Sequence, residues 1–153
     1  MKALELRIPP ALVFLSFGGA MYLLALWLPV GHFDFFGRRW LIYALSGAGL
    51  VVMTVALIQF AIKRTTVDPM APRNAGQLVT SGIYNYTRNP MYLAMLMFLL
   101  AWGLHLENAF NTLLAAGFVG YMNRYQILPE EQALLERFGA AYRQYSKLVR
   151  RWF

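Results

Sequence analysis

The apolar positions of the chain fall into long runs separated by short polar stretches. The segment from Ala11 to Val30 contains no charged residue, and it follows Pro9 and Pro10, which the first turn of a helix tolerates. A second charge-free run extends from Trp40 to Ile62, after the short loop GHFDFFGRR. Each run has about the 20 residues that a helix needs to cross the hydrocarbon core of a bilayer. The pattern predicts two N-terminal membrane spans.

Two shorter apolar segments follow, from Met91 to Leu106 and from Asn111 to Ile127. A tight turn around Glu107-Asn108 joins them, so we expect a helical hairpin that is short for two full spans. Pro129 opens a last helix with an apolar face at helical spacing, formed by Leu134, Phe138, Tyr142, Tyr145 and Val149. The predicted fold is an all-α integral membrane protein with about four transmembrane helices and a C-terminal amphipathic helix.

The connector from Thr65 to Asn89 is rich in proline, glycine and polar residues, so we expect irregular backbone there. A loop of this length without regular structure is more often functional than idle. We treat residues 1–153 as one membrane domain. Residues 1–64 hold the two N-terminal spans, and residues 65–153 hold the connector, the hairpin and the last helix.

Composition supports a membrane protein. Hydrophobic residues make up 59% of the chain and charged residues 14%, against about 25% charged residues in soluble domains. The net charge of +7 comes from basic residues that flank the apolar runs, which indicates the lipid bilayer rather than nucleic acid as the partner. The chain has no cysteine, and His32 and His105 lie in separate loops, so we expect no metal site. We expect no cleaved signal peptide.

The distribution of Lys and Arg predicts the orientation in the membrane. With four spans, twelve of these residues fall on one side, and only Arg38 and Arg39 fall on the other. The positive-inside rule then places both termini in the cytoplasm. The connector and the last helix therefore share the cytoplasmic face and can form one site.

Two polar motifs are candidates for that site. The first is GIYNYTRNPMY, from Gly82 to Tyr92, and the second is the pair Glu130-Glu131. Each has a structural explanation, since Asn89 and Pro90 are typical of a helix start and acidic residues suit the first turn of a helix. A functional role is also open, because free N–H groups at a helix start bind anions and carboxylates bind hydroxyl groups or offset a positive charge.

Aromatic residues accompany both motifs. Five tyrosines either belong to a membrane-interface belt or stack on a ligand, namely Tyr84, Tyr86, Tyr92, Tyr121 and Tyr125. The terminal residues Arg150 to Phe153 are interpreted as a membrane anchor. The chain has no nucleotide-binding glycine motif of the soluble type.

The segments TTVDP, LVTSGIYNYTRNPMYLA and PEEQALLERFGAAYRQYSKLVRRW resemble the isoprenylcysteine carboxyl methyltransferase family. That family is related to phospholipid N-methyltransferases and small-thiol S-methyltransferases. The resemblance covers Thr65 to Trp152. It implies a helical membrane enzyme that uses S-adenosylmethionine, bound on the cytosolic side under the connector and the last helix.

The resemblance also implies the roles of individual residues. The family's Arg-His-Pro-x-Tyr motif falls on Arg88, Asn89, Pro90 and Tyr92, its acidic pair on Glu130 and Glu131, and its Phe-Gly-x-x-Tyr on Phe138, Gly139 and Tyr142. The implied cofactor-binding residues are Leu78, Gly82, Tyr84, Arg88, Asn89, Pro90, Tyr92, Glu130, Glu131 and Tyr142. The implied catalytic residues are Arg88, Arg124 and Glu131.

Two departures from the family pattern bear on the acceptor. Asn89 replaces the usual His, which removes any role for an imidazole. Gln126 occupies the register in which many members carry an Arg, and Arg124 is the nearest cation, which weakens the case for a carboxylate acceptor. The resulting hypothesis is methyl transfer to a lipophilic or small apolar acceptor of the isoprenylcysteine-carboxylate type. The alternatives are a phospholipid N-methyltransferase, a thiol S-methyltransferase, or a non-catalytic membrane subunit.

Overall fold

The computed structural model describes residues 5–28, 30–62 and 76–153, and these residues form helices joined by turns and loops. These residues contain no β-strand, and an isolated antiparallel bridge joins His32 to Asn108. The elements are α1 (Pro10–Trp27), α2 (Arg38–Ile62), a 3₁₀ turn (Gly82–Asn85), α3 (Pro90–His105), α4 (Asn111–Tyr121), a π-helical segment (Met122–Ile127), α5 (Leu128–Phe138) and α6 (Ala140–Leu148). The helical fold class is therefore confirmed.

Helices α1 and α2 are long and apolar enough to cross a membrane, with 18 and 25 residues. Of the 18 residues that form the most apolar stretch of each helix, only 17% in α1 and 11% in α2 are buried inside the protein. Large side chains such as Leu15 and Leu50 face outward. Exposed apolar surface of this extent suits contact with lipid. Helix α3 has 16 residues and is shorter. Four transmembrane helices are thus not confirmed, whereas two helices of membrane length are present among the described residues.

The helices pack as neighbours in a bundle. Helix α2 lies mainly along α3, and α1 lies along α4 and α3. Small residues allow the closest approach, since Gly49 and Ala56 of α2 are buried and Ala94 of α3 is fully buried. Such small-residue contacts are common where helices associate in membranes. The pairing places the C-terminal end of α2 beside the start of α3.

One end of the bundle is closed by contacts between two loops. The backbone N–H of Phe33 donates to the carbonyl of Glu107, and the Arg38 guanidinium pairs with the carboxylates of Asp34 and Glu107. The α1–α2 loop and the α3–α4 turn therefore lie at the same end. The motifs singled out from the sequence lie at the other end.

The prediction of one amphipathic helix starting at Pro129 is wrong in two respects. The helical backbone of α4 continues through the π-helical segment into α5, and a separate helix α6 follows Gly139. Pro129 lacks the N–H that would bond to the carbonyl of Tyr125, and that carbonyl instead accepts the N–H of Leu6 at 3.1 Å. Gly139 ends α5 with φ 53° and ψ −119°, a conformation that favours glycine.

Much of the predicted connector lies outside the described residues, from position 63 to position 75. Its described end contains the 3₁₀ turn, in which Gly82 has φ 65°. The N–H of Ile83 donates to the side-chain oxygen of Gln59 in α2 at 3.3 Å. This contact fixes the end of the connector against α2, just before α3 begins.

Candidate functional site

The two motifs predicted from the sequence meet in the structure. Nη1 of Arg88, just before α3, lies 3.2 Å from Oε1 of Glu131 in the first turn of α5. Pro90 starts α3, where proline fits the first turn, and Pro129 lies where the π-helical segment passes into α5. The side chains of Arg88 and Glu131 are 13% and 16% exposed, so this ion pair is largely shielded from water.

Glu131 has a second guanidinium partner that the sequence did not reveal. Arg151 donates from Nε to Oε1 at 3.0 Å and from Nη2 to Oε2 at 2.8 Å, a bidentate arrangement. Hydrogen bonding to Glu131 raises the pKa of Arg151 above its ordinary value. Two guanidinium groups, those of Arg88 and Arg151, thus pair with the one carboxylate of Glu131.

Residues 149–152, which we call the C-terminal segment, lie against the start of α3. The N–H of Arg88 donates to the carbonyl of Arg150 at 3.0 Å, and Nδ2 of Asn89 donates to the carbonyl of Arg151 at 2.9 Å. Nε1 of Trp152 donates to Oδ1 of Asn123 at 2.9 Å. The interpretation of these residues as a membrane anchor therefore misses their contacts inside the protein. Asn89 helps to hold this segment in place.

Glu130 lies in a different environment from its neighbour. Its Oε1 accepts hydrogen bonds from the Tyr92 hydroxyl at 2.5 Å and from Nε2 of Gln126 at 2.6 Å. Burial of the carboxyl group raises the pKa of Glu130 to about 7, although the two hydrogen bonds lower it, and the charge of Glu131 adds to the rise. The residue keeps some accessible surface because it faces a cavity. Glu130 is therefore a carboxyl group held by neutral donors.

Three tyrosines complete the polar wall. The Tyr145 hydroxyl donates to the carbonyl of Tyr84 at 2.7 Å, and Nη1 of Arg88 lies 3.5 Å from the Tyr142 hydroxyl. Burial raises the pKa of Tyr142 to about 12, and burial also raises the pKa values of Tyr84 and Tyr145. These hydroxyls stay protonated at neutral pH. They can donate hydrogen bonds but cannot supply a negative charge.

A cavity of about 400 Å³ connects these groups. Nine of the predicted site residues line it, namely Leu78, Tyr84, Arg88, Asn89, Pro90, Tyr92, Glu130, Glu131 and Tyr142. Apolar residues from the first two helices form much of its other wall, including Ala11 of α1 and Met53 and Leu57 of α2. The cavity has the size of a small-molecule site, with polar groups at one side and an apolar wall at the other.

Two predicted site residues lie outside this cavity. Gly82 belongs to the 3₁₀ turn, and a side chain there would clash with Gln59. Arg124, predicted to be catalytic, lines a second cavity of about 400 Å³ and pairs with Glu5 at 3.4 Å. Arg88, Glu131 and Tyr142 line both cavities. The structure therefore separates Arg124 from the Glu130 side of the site.

A helical membrane methyltransferase is the class that comparison with known proteins indicates. Residues 37–141 match the model of the phospholipid methyltransferase family, so the chain belongs to that family. The resemblance to the isoprenylcysteine carboxyl methyltransferases and their phospholipid-modifying relatives is thereby confirmed.

Two relatives are similar over parts of the chain. An uncharacterized protein of Haemophilus influenzae is 45% identical over 62 residues, which is 40% of this chain and 98% of that protein. The protein-S-isoprenylcysteine O-methyltransferase of Schizosaccharomyces pombe is 38% identical over 72 residues, which is 47% of this chain and 30% of that enzyme. No solved structure matches the chain.

Proposed function

We propose that the protein is an S-adenosylmethionine-dependent methyltransferase of the membrane, acting on a lipophilic or small apolar acceptor. The observation that carries the proposal is the cavity in which both sequence motifs meet the apolar walls of α1 and α2. Polar and apolar ligands can thus lie next to each other there. The family membership supports methyl transfer as the reaction.

The cavity residues fit the proposed cofactor. Nε of Arg88 is buried without a hydrogen-bond partner among the described residues, which leaves a donor for a carboxylate. No side chain caps the start of α3, so its N-terminal end can face an anionic or hydroxyl-bearing group. When bound, S-adenosylmethionine supplies an electrophilic methyl group on a positively charged sulfur.

The residues of this chain then act by position and electrostatics. The carboxylates of Glu130 and Glu131 stabilise a positive charge, and the ring of Tyr84 can face a cation or stack on a base. Leu57 and Leu78 exclude water from the polar groups. Reactions of this kind gain mainly from holding the two reactants in line.

We further propose that α1 to α4 span the bilayer with both termini in the cytoplasm, so that the acceptor enters laterally from the membrane. Phospholipid N-methylation and thiol S-methylation in the same cavity are the enzymatic alternatives. A membrane subunit that keeps the fold without turnover is the non-enzymatic alternative.

Calorimetric titration of the purified protein with S-adenosylhomocysteine tests the proposal. We expect micromolar binding by the wild type and at least about ten-fold weaker binding by Glu131→Gln, which corresponds to about 1.4 kcal/mol. The matched control is Glu136→Gln, because Glu136 is an exposed acid on the same helix and lies outside both cavities. Its affinity should equal that of the wild type.

Absence of binding by the wild type would favour the non-catalytic subunit and end the proposal. Equal affinities of all three proteins would place the cofactor elsewhere. If binding is found, incubation of total membrane extract with tritiated S-adenosylmethionine then shows which lipid, thiol or prenylated compound takes up the methyl group.

A further inference from the structure

The two adjacent glutamates of the site have different partners. Glu131 is paired with the guanidinium groups of Arg88 and Arg151. Among the residues that the structure describes, no Lys or Arg lies within ion-pair distance of Glu130, whose partners are the Tyr92 hydroxyl and the Gln126 amide. A buried carboxylate that is held by neutral donors can take up a proton without losing an ion pair.

The charges around the cavity also limit the acceptor. Arg88 is the cation among the described residues that line it, and Glu131 already pairs with Arg88. Gln126 is 3% exposed and donates to Glu130, so the side chain on that side of the carboxyl group is a neutral amide. A carboxylate acceptor would therefore meet Glu130, while Arg88 pairs with Glu131 and offers its open Nε to the carboxylate of the proposed cofactor. Like charges at close range repel each other in a poorly hydrated cavity.

We propose that Glu130 is a catalytic proton acceptor, and that the acceptor's nucleophile is therefore an amine or a thiol rather than a carboxylate. In this step the N–H bond of an ammonium group, or the S–H bond of a thiol, breaks and its electron pair stays on nitrogen or sulfur, which leaves a neutral amine or a thiolate as the nucleophile. The proton bonds to a carboxylate oxygen of Glu130. This inference rests on the proposed function and assigns a role to a residue that the family resemblance implies only in cofactor binding.

The groups that face Glu130 suit this role. Tyr92 comes from α3, Gln126 from the π-helical segment, Tyr84 from the 3₁₀ turn and Glu131 from α5. Burial raises the pKa of Glu130 to about 7, so its carboxylate form increases as the pH rises through neutrality. General bases work best when their pKa lies near the working pH. Transfer to a thiol should therefore become faster as the pH rises through about 7.

The first test needs no turnover. Infrared difference spectra of the protein in detergent, recorded across a pH titration, detect the C=O band of a protonated carboxyl group. We expect a band that disappears as the pH rises through about 7 in the wild type and in Glu136→Gln, and that is absent in Glu130→Gln. An identical titration in Glu130→Gln would show that another group is responsible and would overturn the inference.

The second test uses three acceptors of equal chain length, namely dodecylamine, dodecanethiol and dodecanoic acid. We expect label from tritiated S-adenosylmethionine on the amine or the thiol, and at least about 100-fold slower transfer by Glu130→Gln. Labelling of dodecanoic acid, or transfer by Glu130→Gln at the wild-type rate, contradicts the role of Glu130. If the wild type binds S-adenosylhomocysteine, such a result contradicts only the role of Glu130. If the wild type does not bind it, the proposed function itself fails.

Discussion

At the scale of single residues, Arg151 joins two parts of the site. Its guanidinium group makes a bidentate contact with Glu131, and its carbonyl accepts hydrogen bonds from Asn89 and Thr87. The side-chain contact depends on residue type, whereas any residue at this position can supply the carbonyl. Substitution of Arg151 therefore isolates the ion pair from the backbone contacts.

We expect Arg151→Ala to lower the stability of the protein by about 1–2 kcal/mol, because a partly shielded, charge-assisted hydrogen-bond pair is lost. Thermal unfolding in detergent, followed by tryptophan fluorescence, measures the change. Arg150→Ala is the matched control, since it removes the same charge from the neighbouring position and the Arg150 side chain is exposed. Equal losses in the two variants would mean that net charge, and not the contact with Glu131, causes the effect.

Sequence reasoning identified Arg88 and Glu131 but missed Arg151, and it named Gln126 only as a departure from the family pattern and not as a partner of Glu130. Both motifs have local signals in the sequence. Helix-start residues follow Arg88, and Glu131 belongs to an adjacent acidic pair in a chain with only seven acidic residues. Arg151 has no such signal, because its partner lies on α5 and the chain must turn back at the end of α6 to bring them together. The direction of the Gln126 side chain depends on the π-helical backbone around it.

At the scale of elements, the change of direction between α5 and α6 positions Tyr142 and Tyr145. Both residues belong to a buried apolar cluster with Tyr84 and Val79, on the α2 side of the site. A straight helix from Pro129 would carry the tyrosines elsewhere. The sequence predicted the apolar face of this helix correctly, but the recurrence of apolar residues continues across Gly139 and does not reveal the break.

Gly139→Ala tests the importance of this break. A positive φ of 53° is unfavourable for a residue with a Cβ atom, so we expect a loss of stability of about 1–3 kcal/mol and weaker binding of S-adenosylhomocysteine. Gly120→Ala is the control, because Gly120 lies inside α4 and a Cβ atom there meets nothing within 4 Å. That variant should be neutral or slightly more stable, since alanine favours a helix. A fully stable Gly139→Ala protein would show that the break is not required.

At the scale of the whole molecule, the bundle separates a closed end from an end with the candidate site. The positions of α1, α2 and the hairpin could be predicted because charge-free runs of residues are long and proline or charged residues bound them. The sequence could not predict whether the hairpin crosses the bilayer. Helices α3 and α4 are short, and their length alone does not decide the question. The bridge between His32 and Asn108 offers an argument, because it brings the α3–α4 turn to the level of the α1–α2 loop.

If α1 and α2 cross the membrane, the α3–α4 turn must then lie on the same side as the α1–α2 loop, and α6 on the opposite side. The chain has no cysteine, so single cysteines can report on each position. With the proposed orientation, a membrane-impermeant maleimide added to intact cells should label Phe36→Cys and Ala109→Cys, whose positions are exposed. Gln144→Cys, at an exposed position of α6, should react only after permeabilisation, and the wild type should not react at all. Labelling of Gln144→Cys in intact cells would show that the orientation is the reverse of the proposed one. If Ala109→Cys alone fails to react in intact cells, only α1 and α2 span the membrane.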